Sequence, residues 1–118
     1  MIDEHFNADS ALAIDSQFAA AYNLRGLAVR GLGDPRSALT DFTRAVDLSQ
    51  ESYNYFQRGA TYQMLGQHRE ALDDFDRMIA IQPDAAPAYF ARAESRLALG
   101  DLAGAERDRH QGRILDGR

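Results

Sequence analysis

The chain contains no cysteine and no lysine. The first absence removes disulfides, thiolate metal sites and cysteine nucleophiles together, and leaves the redox compartment open. The second makes every basic residue an arginine, which with the abundant alanine points to a GC-rich, bacterial genome. Positive charge is also in short supply. With 13 basic and 18 acidic residues the net charge is −5, and nucleic-acid binding rests on clustered cations that displace counterions from phosphates. No nucleic-acid partner is expected, and anionic membrane surfaces are disfavoured for the same reason. No apolar run approaches the roughly 18 residues of a membrane helix. The acidic opening MIDEHFNADS is unlike a secretory signal, so a cytoplasmic location is expected.

What the chain does have is a sentence written more than once. RGLAVRGLGDPRSALTDF, residues 25–42, returns 33 residues later as RGATYQMLGQHREALDDF, residues 58–75. Leu32-Gly33, Leu65-Gly66 and Leu99-Gly100 extend the series to a third copy, at intervals of 33 and 34. Three more columns keep those intervals: Ala38, Ala71, Ala105; Gly26, Gly59, Ala93; and Tyr22, Tyr55, Tyr89. Four columns sharing one period establish an internal repeat.

Each copy reads as two helices broken at its glycine. In the second copy Tyr55, Phe56, Gly59, Tyr62 and Leu65 recur at helical steps, and Gly66 supplies a C-terminus that needs positive φ. A second series, Ala71, Leu72, Phe75, Met78 and Ile79, runs on until Pro83 stops it. Asp34-Pro35 opens a helix, with Asp as N-cap and Pro at the first helical position, and Asp101 caps the corresponding helix of the third copy. No segment alternates apolar with polar residues over a useful length, which excludes a β protein.

The pattern resembles the tetratricopeptide repeat, a helix-turn-helix unit of about 34 residues with small residues where helices approach and large ones between them. The small columns here are Gly26, Gly59, Ala93; Ala38, Ala71, Ala105; and Ala45, Met78, Gly112. The large ones are Tyr22, Tyr55, Tyr89; Val29, Tyr62, Arg96; and Phe42, Phe75, Arg109, so the third copy departs at Arg96, Arg109 and Gly112. The resemblance implies an all-α solenoid of about seven antiparallel helices in a right-handed superhelical stack. The expected layout is one domain: a lone helix of a partial repeat over 1–17, then repeats over 18–50, 51–84 and 85–118. The lone helix reads equally as a cap or as the cut end of a longer array. The arginine-rich final helix suits a terminal repeat facing water. A hairpin of this kind cannot bury its apolar face alone and must stack on its copies, so Gly59→Leu is expected to force two helices apart.

Arg25, Arg58 and Arg92 recur, as do Asp41, Asp74 and Asp108. Ion pairs that fix register explain both columns. Pairing within a hairpin and pairing between repeats (Asp41 with Arg58, Asp74 with Arg92) satisfy the spacing alike, but pairing between repeats leaves Asp108 without an arginine and gives Arg25 only Asn7. Catalytic candidates are weak: His5, His68 and His110 occupy non-equivalent positions and read as surface residues. The run Asp73 to Asp76 reads as a solvated helix face with Arg77 at ion-pair spacing, not a cation site. RDRHQGR, residues 107–113, carries no aromatic residue to stack on bases, and GLG at 31–33 lacks the strand a phosphate loop needs. No cofactor, metal or catalytic residue is expected.

In tetratricopeptide arrays the first helices of the repeats line a concave groove. Carried onto this chain, the resemblance places Asn23, Leu27, Arg30, Tyr53, Phe56, Gln63, Phe90, Glu94 and Leu97 in it, beside Ala20, Ala60 and Pro87. Tyr53, Phe56 and Phe90 are large apolar residues that stacking does not require, and such exposed residues mark binding surfaces. Chaperone-binding members clamp a peptide carboxylate with Lys, Arg and Asn, where this chain has Asn23, Leu27, Gln57, Pro87 and Ala91, so that specialisation is absent. The expected function is non-catalytic: a protein-interaction scaffold holding an apolar helix or extended peptide, with self-association as homo-oligomer the alternative. Replacing Phe56 and Phe90 by Ala is expected to abolish capture and leave helicity intact. An enzymatic role would come back into question only with a metal or substrate bound at His68, Glu70 and Asp73.

Overall fold

The computed structural model describes the backbone of residues 8–117 and the side chains of residues 17–117. Its elements are α1 (Ala8–Gly31), α2 (Pro35–Leu48), α3 (Ser52–Met64), α4 (His68–Ile81), α5 (Ala86–Ala98) and α6 (Leu102–Asp116). The described residues contain no strand, and no helix is long and apolar enough to cross a membrane. By contact density the chain divides after Gln50 into two compact units: the first holds the α1–α2 hairpin, the second the α3–α4 and α5–α6 hairpins.

Six helices are described where seven were expected. The break anticipated near residue 17 is absent, and α1 runs unbroken for 24 residues. Between Ala8 and Arg25 there is neither glycine nor proline, and the stretch FAAAY propagates a helix well, so no local signal ends it.

The three hairpins turn by one device. At the end of α3, Gly66 adopts φ +75°, and the amide of Gln67 reaches back to the carbonyl of Tyr62 at 2.9 Å while Gly66 N–H donates to Gln63 at 3.0 Å. This pair of bonds satisfies helix-end carbonyls that would otherwise lack donors. Gly33 and Gly100 repeat it, with Asp34 N to Val29 O at 3.1 Å and Asp101 N to Arg96 O at 2.8 Å. Asp34 then caps α2 by accepting from the Ser37 amide at 3.2 Å, and Asp101 caps α6 by accepting from Gly104 at 2.9 Å. The bond from Ser37 holds the Asp34 carboxyl below its ordinary pKa.

Within each of the first two hairpins a glycine faces a phenylalanine. A Cβ on Gly26 would stand 2.8 Å from the Phe42 ring, and one on Gly59 would stand 2.7 Å from Phe75. Both rings are wholly buried, as are Ala38, Ala45 and Ala71 around them. The third hairpin reverses the polarity: a Cβ on Gly112 of α6 would meet the Phe90 ring of α5 at 2.8 Å. Its departures from the repeat are therefore compensated. The bulk missing at Arg109 is supplied from the other helix, and Arg96 donates to Asp108 at 2.8 Å.

The arginine and aspartate columns pair within hairpins. Arg25 meets Asp41, Arg58 meets Asp74, and Arg92 meets Asp108, each through two guanidinium nitrogens at 2.7–3.1 Å. The aspartates are at most 4 % exposed. The hydrogen bonds to Asp41 and Asp74 raise the pKa values of Arg25 and Arg58 further. Around Arg92 burial opposes the charge, and the bonds to Asp108 and Asp76 together outweigh it. That last contact, Arg92 to Asp76 at 2.9 Å, joins the two hairpins of the second unit. Asp74 consequently does not belong to a solvated acidic face: it points into the hairpin and is buried there, with Arg77 3.8 Å away. Asp73 and Asp76 are exposed.

Candidate functional site

In the second unit α3 and α5 each turn one apolar face towards a shared cavity of about 430 Å³. Phe56, Ala60 and Gln63 of α3 lie three and four residues apart, which puts them on one side of the helix. Pro87, Phe90, Ala91 and Glu94 of α5 follow the same rule, with Ala86 at the helix start. Asp116, the last residue of α6, completes the lining.

The aromatic walls are fixed from behind. The Phe56 ring packs on the buried Phe75 ring, centroids 6.0 Å apart at 54°, and Phe90 rests against the bare backbone of Gly112. Gln63 spans the helices: its Nε2 donates to the Ala91 carbonyl at 2.7 Å and to Ser95 Oγ at 2.8 Å. Ser95 is fully buried and also lies 3.2 Å from His68 Nδ1. His68 is thus a half-buried link between α4 and α5, not the surface residue expected. The Gln63 amide is consumed in holding α3 to α5, so its contribution to the cavity is structural.

Of the expected groove residues, Phe56, Gln63, Phe90 and Glu94 come together at this cavity, with Ala60 and Pro87. Tyr53 and Leu97 are exposed and lie outside its lining. Asn23, Leu27 and Arg30 belong to the first unit, where Asn23 is buried, Leu27 half-buried, and the Arg30 guanidinium sits 5.1 Å over the Phe42 ring. Ala86, Ala91 and Asp116 are lining residues that the repeat columns did not single out. Ala91 follows Phe90 around α5 and could have been read from the helical step, whereas nothing in the spacing brings the end of α6 beside α5. Among the described residues no group of three His, Asp or Glu is placed to hold a metal. His5 lies outside the described residues.

The hairpin that supplies one wall, residues 52–85, matches the family model of the tetratricopeptide repeat. One tetratricopeptide repeat is thus identified in the chain, over that hairpin. Solved tetratricopeptide domains superpose on most of the chain's length. It is similar to the first such domain of Spaghetti (RPAP3), bound to the HSP90 peptide SRMEEVD, at 23% identity over 87% of this chain and 82% of that one, TM-score 0.84. The Arabidopsis OM64 domain aligns at 20% identity over 87% and 86%, TM-score 0.85. The TPR2B domain of yeast Sti1, in complex with pHsp70, aligns at 24% over 86% and 82%, TM-score 0.83. At these identities the likeness is one of fold. A sequence search of curated proteins found no significant match. The α3–α4 and α5–α6 hairpins thus place two aromatic side chains, braced from behind, on an open apolar cavity.

Proposed function

We propose that the chain is a non-catalytic, cytoplasmic protein-interaction module whose second unit holds an apolar segment of another protein between α3 and α5, with Phe56 and Phe90 as anchors. The observation that carries this reading is the cavity itself. It is large enough for one or two apolar side chains, its aromatic walls are pre-set by Phe75 and Gly112, and its polar cross-link is satisfied by Ser95 and Ala91. A preformed apolar pocket costs little ordering on binding, which is where affinity is otherwise lost. The HSP90 peptide bound by one fold relative and the pHsp70 complex of another support the same use of the fold.

Ala60, half-buried on the cavity wall, offers the test. In Ala60→Phe a ring fills the space an occupant would take. Peptides selected from a random dodecapeptide display library against the wild type should bind this variant at least about tenfold more weakly, while its thermal midpoint stays near that of the wild type. Equal binding by both proteins would refute the assignment.

A further inference from the structure

Two helices of this chain carry the same surface, one covered and one bare. On α5 it is covered: Arg92 Nη1 donates to Asp76 of α4 at 2.9 Å, Ser95 Oγ lies 3.2 Å from His68 of α4, and Tyr89 O–H donates to the Pro83 carbonyl at 2.9 Å. Ala88 and Ser95 are fully buried there, and Arg92 is 16% exposed. Two repeat intervals earlier, α1 has Ala21, Tyr22, Arg25 and Ala28 at the places of Ala88, Tyr89, Arg92 and Ser95. Their presentation matches: Arg25 holds Asp41 through Nε and Nη2 as Arg92 holds Asp108, and the two guanidiniums stand 5.4 and 5.5 Å over Tyr22 and Tyr89. Yet Ala21 and Ala28 are exposed, Arg25 is 65% exposed, and Phe18, one turn before, is 54% exposed. A hollow of about 280 Å³ lies against Phe18, Ala21, Tyr22 and Arg25.

The helix that covers α5 shows what such a surface accepts. Asp76 lies on one side of α4 with Leu72 four places before it and Ile79 three after, both half-buried. Arg92 takes this carboxylate although it already holds Asp108, so a guanidinium engaged within its own hairpin still recruits a second acid from a neighbour. A second copy of the chain does not offer the pattern: its α4 is engaged on α5, and where α4 has Leu72, Asp76 and Ile79, α2 has Leu39, Thr43 and Val46 and α6 has Glu106, His110 and Arg113, with Glu106 3.5 Å from Arg113. We propose that the α1 face from Phe18 to Ala28 docks an amphipathic helix of another protein, one that sets an aspartate or glutamate between apolar residues a turn away on either side. The carboxylate pairs with Arg25, and an apolar side chain enters the hollow beside Tyr22. The charge pair sets register and partner choice while the apolar stripe supplies the affinity. This surface belongs to the first unit and is independent of the cavity in the second.

The test is a library of helices displayed on a stable α-hairpin scaffold and randomised over one face. Selection against the wild-type chain is counter-selected on Ala21→Glu/Ala28→Glu, which changes two exposed positions to another good helix former. Helices with an acidic residue flanked by Leu, Ile, Val or Met at helical steps should be enriched. The best binder should lose about threefold to fivefold in affinity when its own acid is replaced by the amide. That loss should vanish against Arg25→Gln/Asp41→Asn, which removes the cation together with the buried carboxylate it serves, and Ala60→Phe should bind as the wild type does. Enrichment of basic or uncharged helices, or no enrichment over Ala21→Glu/Ala28→Glu, would overturn the assignment. So would a doubled mass of the chain alone by light scattering that Ala21→Glu/Ala28→Glu abolishes, because a second copy would then cover the face.

Discussion

Adding one methyl group at Gly59 sets two known effects against each other. Glycine inside a helix is worse than alanine by about 0.8–1.0 kcal/mol, so on propensity alone Gly59→Ala stabilises α3. Yet the new Cβ would stand 2.7 Å from Phe75 Cε1 and 3.0 Å from Cζ. The ring it meets is wholly buried and packed on its other side by Phe56, so it has no free direction in which to retreat. Overpacking a filled site costs about 1–3 kcal/mol. The net is a loss between about zero and 2 kcal/mol for alanine, and more for Gly59→Leu. Gly31, at the end of α1, has nothing within 4 Å of its Cβ position, so Gly31→Ala keeps the propensity term alone. The two substitutions should therefore move the urea midpoint, followed by far-ultraviolet circular dichroism, in opposite directions. Phe75→Leu in the Gly59→Ala background should recover part of the loss, giving a non-additive cycle. If Gly59→Ala stabilises as Gly31→Ala does, or if the two changes at 59 and 75 simply add, the close approach of α3 and α4 at this point is wrong.

Other outcomes follow from the ion pairs and caps. Arg58→Ala strands the buried carboxylate of Asp74, for which removal of one partner costs about 3–5 kcal/mol, whereas Arg25→Ala removes a side chain that is 65% exposed and should cost distinctly less; equal losses by urea titration would contradict the burial difference. Asp34 has a folded pKa below its unfolded one, so its contribution is complete above the unfolded value of about 3.9 and disappears as pH falls through the folded value. Asp34→Asn keeps a capping side chain but should lack that acid-dependent loss, and parallel stability curves for the two proteins from pH 6 to pH 2 would count against the cap. Ser95→Ala removes the shared partner of Gln63 and His68, and a loss of about 1–2 kcal/mol, read from thermal or urea midpoints, is expected for two hydrogen bonds.

Period and residue size made most of the fold legible before any coordinates. Helical spacing located the three hairpins, the turn glycines and the caps at Asp34 and Asp101, because these are local rules acting over four to six residues. The Gly59–Phe75 approach was legible because it repeats as Gly26–Phe42. Its inversion in the third hairpin was not: Phe90 and Gly112 each looked anomalous alone, and only their meeting explains them. The arginine and aspartate columns were visible, and although spacing admitted two pairings, only pairing within hairpins gives every one of these arginines its own aspartate, as the side-chain geometry has it. The continuity of α1 was missed because a repeat column marks where a junction recurs, not whether the local sequence can break a helix. For the site, the groove columns brought forward Phe56, Phe90, Ala60 and Glu94, while the commitment of Gln63 to Ser95 and the arrival of Asp116 from α6 depend on packing between hairpins. The bracing of Phe56 by Phe75 and of Phe90 by Gly112 also changes one expectation: truncating both aromatics to alanine leaves gaps behind the cavity and should cost stability as well as binding.

The most direct test is a map of amide chemical-shift changes when a library-selected peptide is titrated into the isotope-labelled chain. The account predicts changes concentrated on α3 from Phe56 to Gln63, on α5 from Pro87 to Glu94, and at Asp116, all lost in Ala60→Phe. Changes centred instead on the outer faces of α4 and α6, or persisting when that ring fills the cavity, would contradict it.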